Sequence, residues 1–275
     1  MTGPLVTVSE LAQLLGKVTV LDVRYRTGGA AGPAEFEAGH VPGAAYVDLD
    51  ADLAAPPGPG GRHPLPDPAH FAAAMRRAGV STGRPVVVYD DWGGRAAARC
   101  WWLLRHHGHP DVRVLDGGWA AWWQSGGAVA PYEDEVGPAS PYPGDFEAAA
   151  TGAMPLVGAD EVLDLDLLVD ARAPERHRGE VEPIDPVAGR IPGAVNVPTE
   201  ANLDEEGRFR SAAELRELYE GVGVRPGATT AAYCGSGVTA CHDLLAMEVA
   251  GLSAALYAGS WSGWITDPSR PVETG

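Results

Sequence analysis

Three cysteines in 275 residues are too few for a disulfide framework. No two of them form a Cys-x-x-Cys pair, which leaves no dithiol or thiolate-metal motif. Long apolar runs are missing too; nothing approaches the roughly 18 uninterrupted apolar residues of a membrane span. The start, Met1-Thr2-Gly3-Pro4, carries neither a basic nor an apolar leader, so a reducing cytoplasm is the expected compartment. Basic residues are scarce: 20 Lys and Arg against 37 Asp and Glu give a formal net charge of −17. That balance argues against nucleic acid and anionic membranes as partners. An anion site would have to be built locally, from a few arginines and backbone N–H groups. His106, His107 and His109 follow a predicted helix without cysteines or clustered carboxylates beside them, and read as C-terminal helix residues rather than metal ligands. Neither a metal nor an organic cofactor is expected.

What the chain has is an internal duplication. Leu21-Asp22-Val23-Arg24 is echoed by Val169-Asp170-Ala171-Arg172, and Gly39-His40-Val41-Pro42-Gly43-Ala44 by Gly189-Arg190-Ile191-Pro192-Gly193-Ala194. Gly79-Val80 matches Gly223-Val224, and Gly118-Trp119-Ala120-Ala121-Trp122 matches Ser260-Trp261-Ser262-Gly263-Trp264. The order is kept at offsets of 142 to 150 residues, which means two copies of one domain rather than a solenoid. In the first copy, Val18–Val23, Ala45–Leu49, Val86–Tyr89 and Val112–Leu115 read as buried parallel strands. Thr7-x-x-Glu10 and Ser211-x-x-Glu214 read as capping boxes, and Asp67-Pro68 as an N-cap followed by proline. Strand–helix alternation predicts an α/β fold: two domains, each a parallel sheet flanked by helices on both faces. The expected layout is a first domain over 1–130, a linker over 131–155 and a second domain over 156–275. The Pro-, Gly-, Ser- and acid-rich run from Pro131 to Pro143 marks the linker, and Ala55-Pro56-Pro57-Gly58-Pro59-Gly60-Gly61 reads as a surface loop.

The chemistry points to Cys234-Gly235-Ser236-Gly237-Val238-Thr239, which follows the apolar run Thr229–Tyr233. A thiol ends a buried strand, two glycines let the backbone curl, and a helix is predicted from near Val238. Amides converging at a helix N-terminus favour a thiolate and any charge it carries. In the first copy the matching residue is Asp90, in Tyr89-Asp90-Asp91-Trp92-Gly93-Gly94. A carboxylate cannot do thiol chemistry, so one copy is expected to be active and one silent. Cys100 and Cys241 read as core packing, as do Trp119, Trp122, Trp261 and Trp264.

Taken together, the duplication, the Pro-Gly-Ala segments, the Gly/Ser-Trp repeats and the Cys-Gly-Ser-Gly-Val-Thr loop resemble tandem-domain rhodanese sulfurtransferases over essentially the whole chain. The resemblance implies a persulfide carried on Cys234 between a small anionic sulfur donor and an acceptor, either cyanide, a small thiol or a protein thiol. The loop is similar to that of the 3-mercaptopyruvate branch, where Gly235, Gly237, Val238 and Thr239 cradle the persulfide and Ser236 assists proton movement. Helpers implied from the N-terminal copy are Asp50, with Asp48 competing for the place, and His63. Arg176 corresponds to the first of two arginines that bind the donor. Nine residues on, where the second belongs, stands Asp185, with Arg178 or Arg190 as substitutes. That departure keeps thiosulfate open as the donor.

Two rival classes fare worse. A cysteine phosphatase loop needs an arginine six places after the thiol to clamp phosphate, and position 240 is alanine. A regulatory module without turnover would suit the Asp90 copy, but not the intact Cys234 loop, whereas a relay to a protein cysteine uses the same persulfide and stays open.

Overall fold

The structure, a computed structural model, describes residues 3–25, 32–130, 143–149 and 152–275. The expected linker core from Pro131 to Tyr142 lies outside the described residues. The chain divides into two compact units, one of residues 1–54, 66–154 and 206–208, the other of residues 55–65, 155–205 and 209–275. The Pro/Gly-rich loop 55–65 therefore belongs with the second unit, although it precedes most of the first in sequence.

The first unit runs β1 (Leu5–Val6), α1 (Val8–Leu14), β2 (Thr19–Asp22), α2 (Gly32–Ala38), β3 (Ala44–Tyr46), α3 (Leu49–Asp52), α4 (Pro68–Arg77), β4 (Val86–Tyr89), α5 (Arg95–His106), β5 (Val112–Leu115) and α6 (Gly118–Gln124). The second runs β6 (Leu167–Asp170), α7 (Pro174–His177), β7 (Val195–Asn196), α8 (Ala212–Gly221), β8 (Thr230–Tyr233), α9 (Ala240–Val249), β9 (Ala255–Leu256) and α10 (Ser260–Trp264), with 3-10 turns at Val162–Asp164 and Thr199–Asn202. Every strand pair is parallel, in the orders β1-β5-β4-β2-β3 and β7-β6-β8-β9. The two orders coincide once β2, β3, β4 and β5 are matched to β6, β7, β8 and β9. A single parallel bridge between Leu156 and Leu256 takes the place of β1 in the second sheet.

Local chemistry explains the helix starts. Thr7 and Ser211 form the expected capping boxes, and Asp67 accepts the amides of Ala69 and His70 ahead of Pro68. The strand expected over Ala45–Leu49 stops at Tyr46, because Asp48 accepts the Ala51 amide and starts α3. Valines and tyrosines of the central strands are fully buried, as a parallel sheet flanked by helices requires. Trp122, Trp261 and Trp264 are core residues, whereas Trp119 is half-buried under the Arg24 guanidinium.

Both sheets end on the same polar device. Asp22 is fully buried and receives the Arg24 side chain and the Tyr89 hydroxyl, while Arg24 also reaches the Gly39 carbonyl. Asp170, Arg172, Tyr233 and Gly189 repeat this bond for bond. Burial pushes the Asp170 carboxyl up, but His177 and Arg172 outweigh it and hold it below the usual carboxylate range. The Asp-x-Arg echoes in the sequence are thus paired buried ions that lock each central strand to the loop beyond it.

Candidate active site

Cys234 stands just past β8, where the chain leaves the sheet, and is 1% exposed. Its sulfur receives the Gly237 N–H at 3.1 Å. Gly237 has φ 80° and its Cα faces the Ala258 carbonyl, so the curl requires glycine. The helix that follows starts at Ala240, with Thr239 as N-cap, two residues later than the sequence suggests. Val238 is buried and Thr239 half-buried in the same turn.

The opposite wall is α10. The Ser260 hydroxyl accepts the Cys234 N–H at 3.0 Å and lies 4.0 Å from the sulfur. Ser260 has φ 52°, a left-handed conformation that costs a non-glycine residue roughly 1 kcal/mol or more. Its counterpart Gly118 has φ 55°, so the turn is inherited and the second copy has placed a hydroxyl in it. The Trp261 N–H then donates to the Cys234 carbonyl, as Trp119 does to Asp90.

The loop 55–65 brings two further side chains to this unit. His63 Nδ1 lies 2.8 Å from the Ser236 hydroxyl, which is itself buried. Arg62 pairs with Asp185, and its own N–H donates to Ser262 Oγ at 3.0 Å. Arg176 donates to Glu182 at 2.6 and 3.1 Å and to Asp185 at 3.3 Å. Burial pushes the Glu182 carboxyl up, but Arg176 and the amides of Asp185 and Ile184 bring it below its ordinary value. Gly235 lies under both guanidiniums: a Cβ there would sit 2.8 Å from Arg62 Nη2 and 3.6 Å from each Nη of Arg176.

Cys234, Gly235, Ser236, Gly237, Val238, Thr239, Arg176 and His63 therefore share one unit. Asp50 does not; it lies exposed in the first turn of α3 in the first unit, beside the capping Asp48. Arg178 pairs with Glu180, and Arg190 with Glu273 and the Gly275 carbonyl. Sequence reading missed Arg62, although it adjoins the flagged His63, and missed Ser260, whose departure from the Gly118 echo was its only signal. Cys241 is fully buried with its thiol 3.4 Å from the Gly237 carbonyl, and burial pushes the Cys100 thiol up. The rings of His106, His107 and His109 are each held below the usual histidine range by burial. Among the described residues no group of His, Cys, Asp or Glu could hold a metal ion, and no helix is long and apolar enough to cross a membrane.

The corresponding loop of the first unit is closed by its own side chain. The buried Asp90 carboxylate accepts the amides of Trp92, Gly94 and Ala97 at 2.8 to 2.9 Å.

The rhodanese-like domain family matches residues 7–125 and 156–267. A Pseudomonas aeruginosa protein named a probable 3-mercaptopyruvate sulfurtransferase is 45% identical across 100% of this chain and 99% of its own. A Mycobacterium tuberculosis protein provisionally named thiosulfate sulfurtransferase SseB is 42% identical across 98% of this chain and 97% of its own. The crystal structure of SseA from Escherichia coli, a 3-mercaptopyruvate sulfurtransferase, superposes with a TM-score of 0.81 at 33% identity, covering 95% of this chain and 100% of that one.

Proposed function

Since the chain belongs to the rhodanese family of sulfurtransferases, we propose that it moves sulfur from 3-mercaptopyruvate to cyanide or a thiol, through a persulfide on Cys234. The Cys234 thiolate attacks the donor sulfur, the carbon–sulfur bond breaks, and its electron pair passes into the pyruvate enolate. The donor thiol's proton ends on that carbon, so pyruvate leaves and Cys–S–S⁻ remains. Cyanide or a thiolate, small or on a protein, then takes the outer sulfur as thiocyanate or a new persulfide and restores the thiolate. The Gly237 amide and the loop at the start of α9 favour the negative sulfur throughout.

The observation that carries the choice of donor is the 2.8 Å contact between Ser236 and His63. Sulfur transfer from thiosulfate releases sulfite and needs no proton. Transfer from mercaptopyruvate needs one carried from sulfur to carbon, which a serine and histidine in contact can do. Charge agrees: Arg62 and Arg176 are matched by Asp185 and Glu182, an environment suited to a monoanion more than a dianion. Asp50, the helper carboxylate that the family resemblance implies, remains a proposal beside the capping Asp48. The first unit, with Asp90 in place of the thiol, is proposed to do no chemistry. The three cysteines are free thiols, which suits a reducing compartment, and the cytoplasm is the proposed location.

The test compares kcat/KM for thiocyanate formation with mercaptopyruvate and with thiosulfate, and reads the mass of the donor-treated protein without acceptor. A mercaptopyruvate preference of about 100-fold or more, with one added sulfur that Cys234→Ser abolishes, is expected. A thiosulfate preference would overturn the donor; sulfur retained in Cys234→Ser would overturn the site.

A further inference from the structure

The charges over Gly235 do not come from neighbouring sequence. Arg176 lies on α7 and Arg62 on the loop 55–65, yet both guanidiniums stand above the residue that follows the nucleophile. One carboxylate holds the pair: Asp185 Oδ1 meets Arg62 and Oδ2 meets Arg176 Nη2. The Asp185 side chain is only 4% exposed, while that of Arg62 is 28% exposed. Arg62 and Asp185 also line a cavity of about 370 Å³, whose other walls include Ile184, Pro186 and Ser262.

We propose that Arg62, together with Arg176, binds the carboxylate of the sulfur donor, and that Asp185 is the positioning residue that holds both guanidiniums over the Cys234 loop. This rests on mercaptopyruvate being the donor. Its carboxylate is two carbons from the sulfur, so a clamp beside the residue after Cys234 holds the sulfur at the thiolate. Outside the bonds to Glu182 and Asp185, Arg62 Nη2 and Arg176 Nη1 both stand near Gly235, where each can donate to one oxygen of a carboxylate. A Cβ at Gly235 would push aside the flexible end of Arg62. Position 185, where an arginine would otherwise meet the donor, instead anchors an arginine that arrives from 123 residues upstream.

Two donors separate binding from structure: mercaptopyruvate, and 1-mercaptopropan-2-one, which replaces the carboxylate with a methyl group. Arg62→Ala is expected to lower kcat/KM for mercaptopyruvate about 10- to 100-fold, chiefly through KM, and to leave the ketone within about twofold. Gly235→Ala, which displaces the flexible end of Arg62 without removing it, is expected to move mercaptopyruvate in the same direction. The transposed pair Arg62→Asp with Asp185→Arg is expected to recover part of what either single change loses. An equal loss for both donors in Arg62→Ala, or no loss for either, would overturn the proposal. A wild-type protein that forms no persulfide from mercaptopyruvate would instead overturn the donor assignment on which it rests.

Discussion

Asp90 and Cys234 end matching strands in the two units, and each receives amides from the loop that follows. Around Asp90 three amides close on a carboxylate that is part of the chain. Around Cys234 one amide meets a sulfur, and the hydroxyl of Ser260 stands where the first unit has Gly118. The helices behind the loops differ as well. Nine residues on, α5 buries Arg99, bonded to the Leu53 carbonyl, whereas α9 buries Asp243, bonded to Asn202. The same turn can therefore serve two ends. An amide-lined loop wants an acceptor, and the first unit fills it with its own carboxyl group, while the second is proposed to keep the place for sulfur.

The sharpest way to break this comparison is to write the first loop into the second. Cys234→Asp is expected to lower thiocyanate formation by about 1,000-fold or more while leaving the fold intact by circular dichroism. Activity above a few per cent of wild type would mean that another group carries the sulfur. The reverse change probes stability. Asp90→Cys leaves three buried amides without their acceptor and is expected to cost about 2–4 kcal/mol in urea denaturation, with no gain in sulfur transfer. A loss below about 0.5 kcal/mol would show that the carboxylate is not what holds that loop.

The smallest expected effect concerns Asp243. Burial, with its Oδ2 lacking a hydrogen-bond partner, holds its pKa well above the ordinary carboxylate value in the folded protein. Folding thus favours the protonated acid. Its stabilising contribution is complete below the unfolded value near pH 4 and is lost as pH rises through the elevated folded value. Asp243→Asn is expected to match wild type in acid and to be the more stable of the two in urea denaturation at neutral pH. A difference that stayed constant with pH would show that Asp243 does not titrate between the two states.

Where the signal was local, the sequence announced the structure. The Val86–Tyr89 and Val112–Leu115 strands are short apolar runs flanked by turn residues, and Thr7, Asp67 and Ser211 carry their caps within three positions. The Cys234 loop was legible for the same reason, since its glycines and thiol lie within one turn of chain. Long-range placement was not. Ala55–Gly61 has the composition of a surface loop, which reports that it lacks regular structure but not which unit it packs on. The Arg62–Asp185 pair leaves no periodic or spacing trace, because its partners meet only through tertiary contacts. Asp185 stands where the family resemblance implies an arginine, and no neighbouring residue signals that Arg62 is its partner.

The loop 55–65 has one more consequence, for how the chain can be divided. A polypeptide cut at the midpoint would keep Cys234, its glycines and Arg176, and would leave behind His63 and Arg62, which belong to the same compact unit. The repeat visible in the sequence is therefore not the unit of inheritance for this chemistry. A gene fragment encoding the second repeat alone would specify Cys234 without two of the side chains that share its compact unit.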